Sequence, residues 1–342
     1  MSTQDQTGIE FSVVPEEHQE RFRLLELPPE LLALLTQEDA EPLLFKATDS
    51  SDGNTPQSAV KLCTDDKTYS IRQVNTSNSV YLARPGLSVV ADGGLPPPAS
   101  VEAFAQCDSF LEATLQAKSS AVSHIRSQVP VYSSTGHYGG KSAVTRGQLY
   151  DNIPLSKAEC DESWIELACF EMRDSAGSFI PSAAARIQAW SSILTNAAAN
   201  TIDLTSQIAN VDVELIVDDT EDWPVELTQA VLYSVRDMSE GTPLIIDQAK
   251  CLRLVGASLL ETYQTKGLPT SEFRARWADL LPERWRGSKG PDLQAIQGSY
   301  NIEGTTIVFV EKDASNGPQG SKTTLGVKRA WHEKFRQSKK AG

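Results

Sequence analysis

The chain has 342 residues, of which 31 are Lys or Arg and 45 are Asp or Glu, giving a net charge of −14 with 40% hydrophobic residues. That length holds two to four domains at about 100–200 residues each. No apolar run approaches the ~20 residues of a membrane span, and the start, MSTQDQTGIEF, lacks the basic and apolar regions of a secretory signal, so neither a membrane protein nor a secreted one is expected.

The first eighty residues read as short strands with one helix. RFRLLEL (21–27) is strand-like, and PPELLALL (28–35) starts a short helix with proline tolerated in its first turn. PLLFKA (42–47) and AVKLCT (59–64) are apolar runs of strand length, joined by a loop-like TDSSDGNTPQS (48–58). KTYSIRQVNTSNSVYL (67–82) sets Tyr69, Ile71 and Val74 in strand rhythm, stops at the polar residues 75–79, and resumes with Val80, Tyr81 and Leu82. Asn and Ser bond their own backbone and tolerate unusual dihedrals. Strand, polar bend, strand therefore predicts a small antiparallel barrel turning a corner. About 70 residues of short strands give a limited core, and such a half-built barrel hides its edges against another chain. Residues 9–82 are thus expected to be a heterodimerisation module, with Tyr69, Ile71, Val74, Val80, Tyr81 and Leu82 meeting the partner. ARPGLSVVADGGLPPPAS (83–100) reads as a stiff linker and domain boundary.

After residue 100 the texture turns helical. Residues 101–118 and 156–172 read as helices, the second with a capping box at Ser156 and Glu159. Residues 183–198 and 224–238 follow, the latter with Pro224 at its start and Leu227, Val231 and Val235 on one face. The last hundred residues predict a helix over 247–267 closed by Gly267, and a second over 270–282 with Thr270 as cap. A short third helix is predicted over 292–298, and a hairpin over 299–313 turning at Glu303-Gly304. Three helices and a hairpin spell a winged helix. Similar, weaker orders precede it. The predicted class is α+β: a β-barrel and linker over 1–100, then winged helices over 101–182, 183–246 and 247–342, the last with a basic tail.

Nothing in the sequence argues for an enzyme, a cofactor or a metal. TGHYGGKSA (135–143) supplies the Gly140-Lys141-Ser142 half of a phosphate-binding loop, but its first glycine position holds Thr135. VELIVDD (213–219) resembles an acidic strand end that would hold Mg²⁺ through Asp218, yet the alternating strands and helices of a parallel sheet are missing. The four histidines are isolated, and the five cysteines (Cys63, Cys107, Cys160, Cys169, Cys251) form no CxxC pair and are expected as buried thiols.

Charge is uneven. From residue 249 onward there are 16 basic and 9 acidic residues, +7, leaving 31 − 16 = 15 basic and 45 − 9 = 36 acidic residues, −21, in the rest. Lys250, Arg253, Arg274, Arg276, Arg284, Arg286 and Lys289 are the candidate phosphate contacts. The predicted third helix carries Asp292 and no basic residue, so guanine readout from it is excluded and sequence-independent contact with DNA is expected. A sequence-specific winged-helix transcription factor is the alternative.

The segments RFRLLELPPELLALL, LLFKA, AVKLCTDDKTYSIRQVNTSNSVYL, GQLYDNIPLSKAECDESWIELACFEM and TSEFRARWADLLPERW resemble the family called defective in sister chromatid cohesion protein one, over most of residues 9–313. The resemblance implies a subunit of an alternative, replication-factor-C-like clamp loader. It would join the small and large chromosome transmission fidelity subunits through a shared β-barrel, with three winged helices behind it. It implies contact with the leading-strand DNA polymerase and with DNA, a nuclear location, and a part in DNA replication and sister chromatid cohesion. ATP hydrolysis would sit in other subunits, in keeping with Thr135.

Overall fold

A computed structural model describes residues 9–47, 60–86, 100–133, 144–172, 177–217, 223–237, 243–287 and 290–310. The fold is α+β. It divides into two units, one of residues 1–129, 141–167 and 173–178, the other of residues 130–140, 168–172 and 179–342.

The first unit is built on β1 (Glu10–Val13), β2 (Leu24–Glu26), β3 (Leu44–Ala47), β4 (Val60–Cys63), β5 (Thr68–Pro85) and β6 (Ser100–Leu115), with α1 (Pro29–Leu35) between β2 and β3. The strands form one curled sheet, a half-barrel, in the order β1-β6-β5-β4-β3, with β2 also pairing β6. Residues 101–118 were expected to be helical; most of them form β6 instead. The alternation of Val101, Ala103, Ala105 and Cys107 with Glu102, Gln106 and Asp108 is a strand period. Apolar residues also recur three and four apart there, and long-range pairing with β5 decides between the two periods. The sheet thus runs past residue 100, where the sequence suggested a boundary.

β5 also differs from expectation. It is one strand, paired antiparallel with β6 from Tyr69↔Leu115 to Pro85↔Val101. The register moves from Asn75↔Ser109 to Val80↔Cys107, five steps on β5 against two on β6. The polar residues 76–79 therefore absorb three extra residues as a bulge rather than a turn between two strands.

Three helices complete this unit: α2 (Val122–Gln128), α3 (Arg146–Asn152) and α4 (Lys157–Glu166). α3 and α4 both open on capping boxes, Thr145 with Gln148 and Ser156 with Glu159. The sequence predicted the second of these but missed α2 and α3, which are only seven residues each. The helix expected through residue 172 stops at Glu166, and Ala168 takes a left-handed φ of 52°. Buried Lys46 on β3 donates to the carbonyls of Tyr150 (2.8 Å) and Leu155 (2.9 Å), and the Ala158 N–H donates to the Asp65 carbonyl (2.8 Å).

The second unit begins with β7 (Val131–Tyr132), β8 (Phe170–Met172) and β9 (Gly177–Pro181), the last of which opens in the first unit; their order is β7-β9-β8. Next come α5 (Ala183–Ala199), α6 (Asn210–Val217) and α7 (Val225–Ser234), with isolated bridges Ile208↔Leu244 and Arg236↔Ile246. α8 (Gln248–Thr262), β10 (Leu268–Pro269), α9 (Thr270–Asp279), β11 (Tyr300–Glu303) and β12 (Thr306–Phe309) follow, the strands in the order β10-β12-β11. α6 replaces the strand expected over 213–219, because Val213, Ile216 and Val217 face the core at helical spacing. Thr270 does not cap α9; its hydroxyl donates to the Thr305 carbonyl at 3.0 Å. The predicted third helix is one 3-10 turn, Leu293–Ile296, capped by Asp292.

One order recurs along the chain: helix, strand, two helices, two strands, with the last strand central. It reads α2-β7-α3-α4-β8-β9, then α5, Ile208, α6, α7, Arg236 and 244–246, then α8-β10-α9, the 3-10 turn, β11 and β12. The core of the second unit gathers Trp190, Ile193, Val231, Val255, Phe273 and Trp277. Gly256 leaves room for the Trp277 ring, since a Cβ there would stand 2.5 Å from it.

Candidate functional site

Strand pairing determines which side chains share a face. Phe45↔Leu62, Leu62↔Tyr69 and Tyr69↔Leu115 run straight across β3, β4, β5 and β6, so these four lie on one face. Leu62 and Tyr69 are buried with Leu31 of α1 and Ala113, and Leu25, Leu27, Leu43 and Ile71 pack around them. The flanks of the row stay open: Phe45 is 61% exposed and Leu115 55%. Among the described residues, thirteen of the seventeen exposed large apolar side chains lie in residues 9–115. Contiguous exposed apolar area of this kind marks interaction surfaces, whereas single exposed apolar residues do not.

The Tyr69 hydroxyl is buried and has no hydrogen-bond partner among the described residues. Burial pushes its titration up. An orphan hydroxyl costs about 1–3 kcal/mol until a partner is supplied. Pairing of β2 with β6 ends at Glu26↔Glu112, because Pro28 and Pro29 follow and have no N–H to donate. Residues 26–29 and 112–115 there enclose a shallow cavity of about 360 Å³.

Of the six residues expected to meet a partner, the structure brings Tyr69 and Ile71 to this inner face, Tyr69 as core. Val74 and Leu82 are half-buried, and Val80 and Tyr81 are exposed at 40% and 44%. Tyr81 meets Phe11 edge-on at 6.3 Å, and Ile9, Phe11 and Val13 add a second exposed apolar area toward that end of the sheet. Sequence reasoning missed Phe45 and Leu115. Each was assigned to an element, but only the register shows that they flank the buried row.

The candidate phosphate contacts are mostly engaged within the chain. Arg276 pairs with Glu272 at 2.7 Å, stacks over the Tyr263 ring and bonds its hydroxyl. Arg284 pairs with Asp203 at 2.9 Å, Arg286 donates to the carbonyls of Leu281 and Asp279, and Lys250 donates to the Arg236 carbonyl. Arg253 on α8 and Arg274 on α9 are exposed, with no ion pair among the described residues. Lys289 lies outside the described residues, as do Gly140, Lys141, Ser142, Asp218 and the basic residues 322–340.

A polar cluster behind the sheet was not foreseen either. The Glu159 carboxylate accepts from Thr68 Oγ1 (2.6 Å), the Ser119 N–H (2.8 Å) and Ser156 Oγ (2.8 Å). Burial alone would raise its titration, but these donors hold it below the usual carboxylate range. Burial pushes the neighbouring Cys160 thiol up to about 12 and raises Cys63 as well, so both are inert. Among the described residues, no group of three or more His, Cys, Asp or Glu is placed to hold a metal, and no helix is long and apolar enough to cross a membrane.

A family model described as sister chromatid cohesion protein Dcc1 matches residues 22–314. The match takes in the half-barrel from β2 onward and all three turns of the recurring helix-and-strand order.

Proposed function

The chain belongs to the sister chromatid cohesion protein Dcc1 family, and on that premise we propose that it is a non-catalytic adaptor of an alternative, replication-factor-C-like clamp loader. Membership carries a role in sister chromatid cohesion, and with it a nuclear role. The observation supporting the adaptor reading is the unfinished inner face of the half-barrel: Leu62 and Tyr69 buried, Phe45 and Leu115 open beside them, and the Tyr69 hydroxyl unmatched. Covering what is still exposed of each of these side chains is worth roughly 1–2 kcal/mol. Strands from the small and large chromosome transmission fidelity subunits would close the barrel here.

The recurring order of helix, strand, two helices and two strands supports three tandem winged helices, the third ending in the β11–β12 wing. Their third-helix positions are α4, α7 and the 3-10 turn Leu293–Ile296, and Lys157 is the one basic residue among them. That composition favours contact with DNA through phosphates over reading of bases, and it disfavours the transcription-factor alternative. The remaining surfaces are available to the leading-strand polymerase.

The test is co-expression of the full chain with the two clamp-loader subunits, comparing wild type with Phe45→Asp/Leu115→Asp. Both residues are exposed, so the variant should melt within a few degrees of wild type while failing to co-purify with the subunits. Undiminished co-purification would remove the inner face from the assembly.

A further inference from the structure

The middle turn of the recurring order differs from its neighbours in charge. Residues 187–235 contain no Lys, Arg or His and eight acidic residues: Asp203, Asp212, Glu214, Asp218, Asp219, Glu221, Asp222 and Glu226. A stretch of that sign repels nucleic acid and attracts basic protein. Within it, α6 turns Ile216 and Val217 into the core, and the Asn196 amide donates to the Ile216 carbonyl at 3.0 Å, which fixes the helix in place.

The opposite side of α6 is apolar and open. Val211 is 69% exposed and Leu215 41%, one helical turn apart, with exposed Glu214 between them and Asp212 half-buried beside them. The fold does not demand this. At the same place in the order, α3 presents Gln148 and Asp151, and α9 presents Glu272, Arg274 and Arg276. Among the described residues, exposed large apolar side chains at this position occur in the middle turn and not in α3 or α9.

We propose that the Val211–Leu215 face of α6 docks a basic amphipathic segment of another protein. Two large apolar side chains, spaced a turn apart on that segment, cover Val211 and Leu215, and its Lys or Arg residues meet Asp212 and Glu214. Apolar burial anchors the segment, and Asp212 and Glu214 on the same helix select for basic partners and speed their arrival. The half-barrel plays no part in this contact, so its failure and that of the adaptor reading are separable.

The experiment uses the full chain and a fluorescent lysine-rich peptide with leucines four residues apart, and a control peptide in which serine replaces the leucines. Anisotropy should show saturable binding of the first that weakens with salt, and at least tenfold weaker binding of the control. Val211→Ser/Leu215→Ser should weaken the first peptide at least tenfold with an unchanged melt, and Asp212→Asn/Glu214→Gln should weaken it several-fold. Equal binding of both peptides, undiminished binding by the apolar variant, or no saturable binding overturns the proposal. A chain ending at Val310 should bind as the full chain does. A tenfold gain there would mean that the chain's own basic C-terminal segment occupies the face, and a dimer that disappears in the apolar variant would mean that a second copy does; either result overturns an external occupant.

Discussion

Glu159 shows how one capping residue comes to join distant parts of a chain. The Ser156–Glu159 pair was legible as a capping box, since that motif is local. The donations from Thr68 and Ser119, 91 and 40 residues away, were not, because nothing in the sequence sets that proximity. The folded carboxyl titrates below its unfolded value, near 4.5. Its contribution is therefore complete above about that pH and is lost as pH falls through the folded value. Glu159→Gln should cost about 1.5–3 kcal/mol near neutral pH, with a smaller penalty near pH 4, as urea unfolding at the two pH values would show. Equal penalties would mean that the carboxylate charge is irrelevant to the cluster. Gly256 gives the opposite kind of test. Alanine normally gains about 1 kcal/mol over glycine inside a helix, but here its Cβ would stand 2.5 Å from the Trp277 ring. Overpacking of this kind costs about 1–3 kcal/mol, so Gly256→Ala should lower the melting temperature.

Elements were legible where period and punctuation agreed. α1, α5, α7, α8 and α9 each have an apolar stripe together with a capping residue or an opening proline, and they stand within a few residues of expectation, apart from the shorter C-terminal ends of α7, α8 and α9. β6 and α6 were misassigned because their short apolar runs satisfy both periods, and only strand partners or core contacts choose between them. The polar knot of β5 was legible as an interruption. That it is a bulge depends on β6, which lies across from it. Ile71 now separates two roles that the sequence had merged. It packs on the Leu31–Leu62–Tyr69 core rather than on open surface, so Ile71→Asp should lower both the stability of the isolated chain, by about 2 kcal/mol or more, and partner assembly. Phe45→Asp should lower assembly alone. Melting and co-purification of the two variants side by side decide it.

For the molecule as a whole, the acidic front and basic back were legible as counts, but the state of each charge was not. Four of the six described candidate cations are tied to Glu272, Asp203 or backbone carbonyls, which leaves Arg253 and Arg274 open. Arg253→Glu/Arg274→Glu should weaken DNA binding equally across unrelated sequences. It should also flatten the slope of log affinity against log salt by roughly 0.9 for each phosphate no longer neutralised. Titrations of two unrelated duplexes over a range of salt would show it, and weakening confined to one duplex would speak for base reading instead.

The way β1, β3 and β5 are held also dictates an order of events during synthesis. β1 pairs with residues 100–103, Lys46 is satisfied by carbonyls at 150 and 155, and Thr68 by Glu159. The amino-terminal strands therefore cannot reach their final state until about residue 167 has left the ribosome. At roughly 5–20 residues per second, the roughly eighty residues between the end of β5 and that point take on the order of ten seconds. Until β6 has emerged, β1 and the part of β5 that carries Tyr81 have no partner strand, whereas β3 can already pair with β4. On the proposed adaptor reading, the yield of the chain should rise when the subunits that would cover Phe45 and Leu115 are translated alongside it.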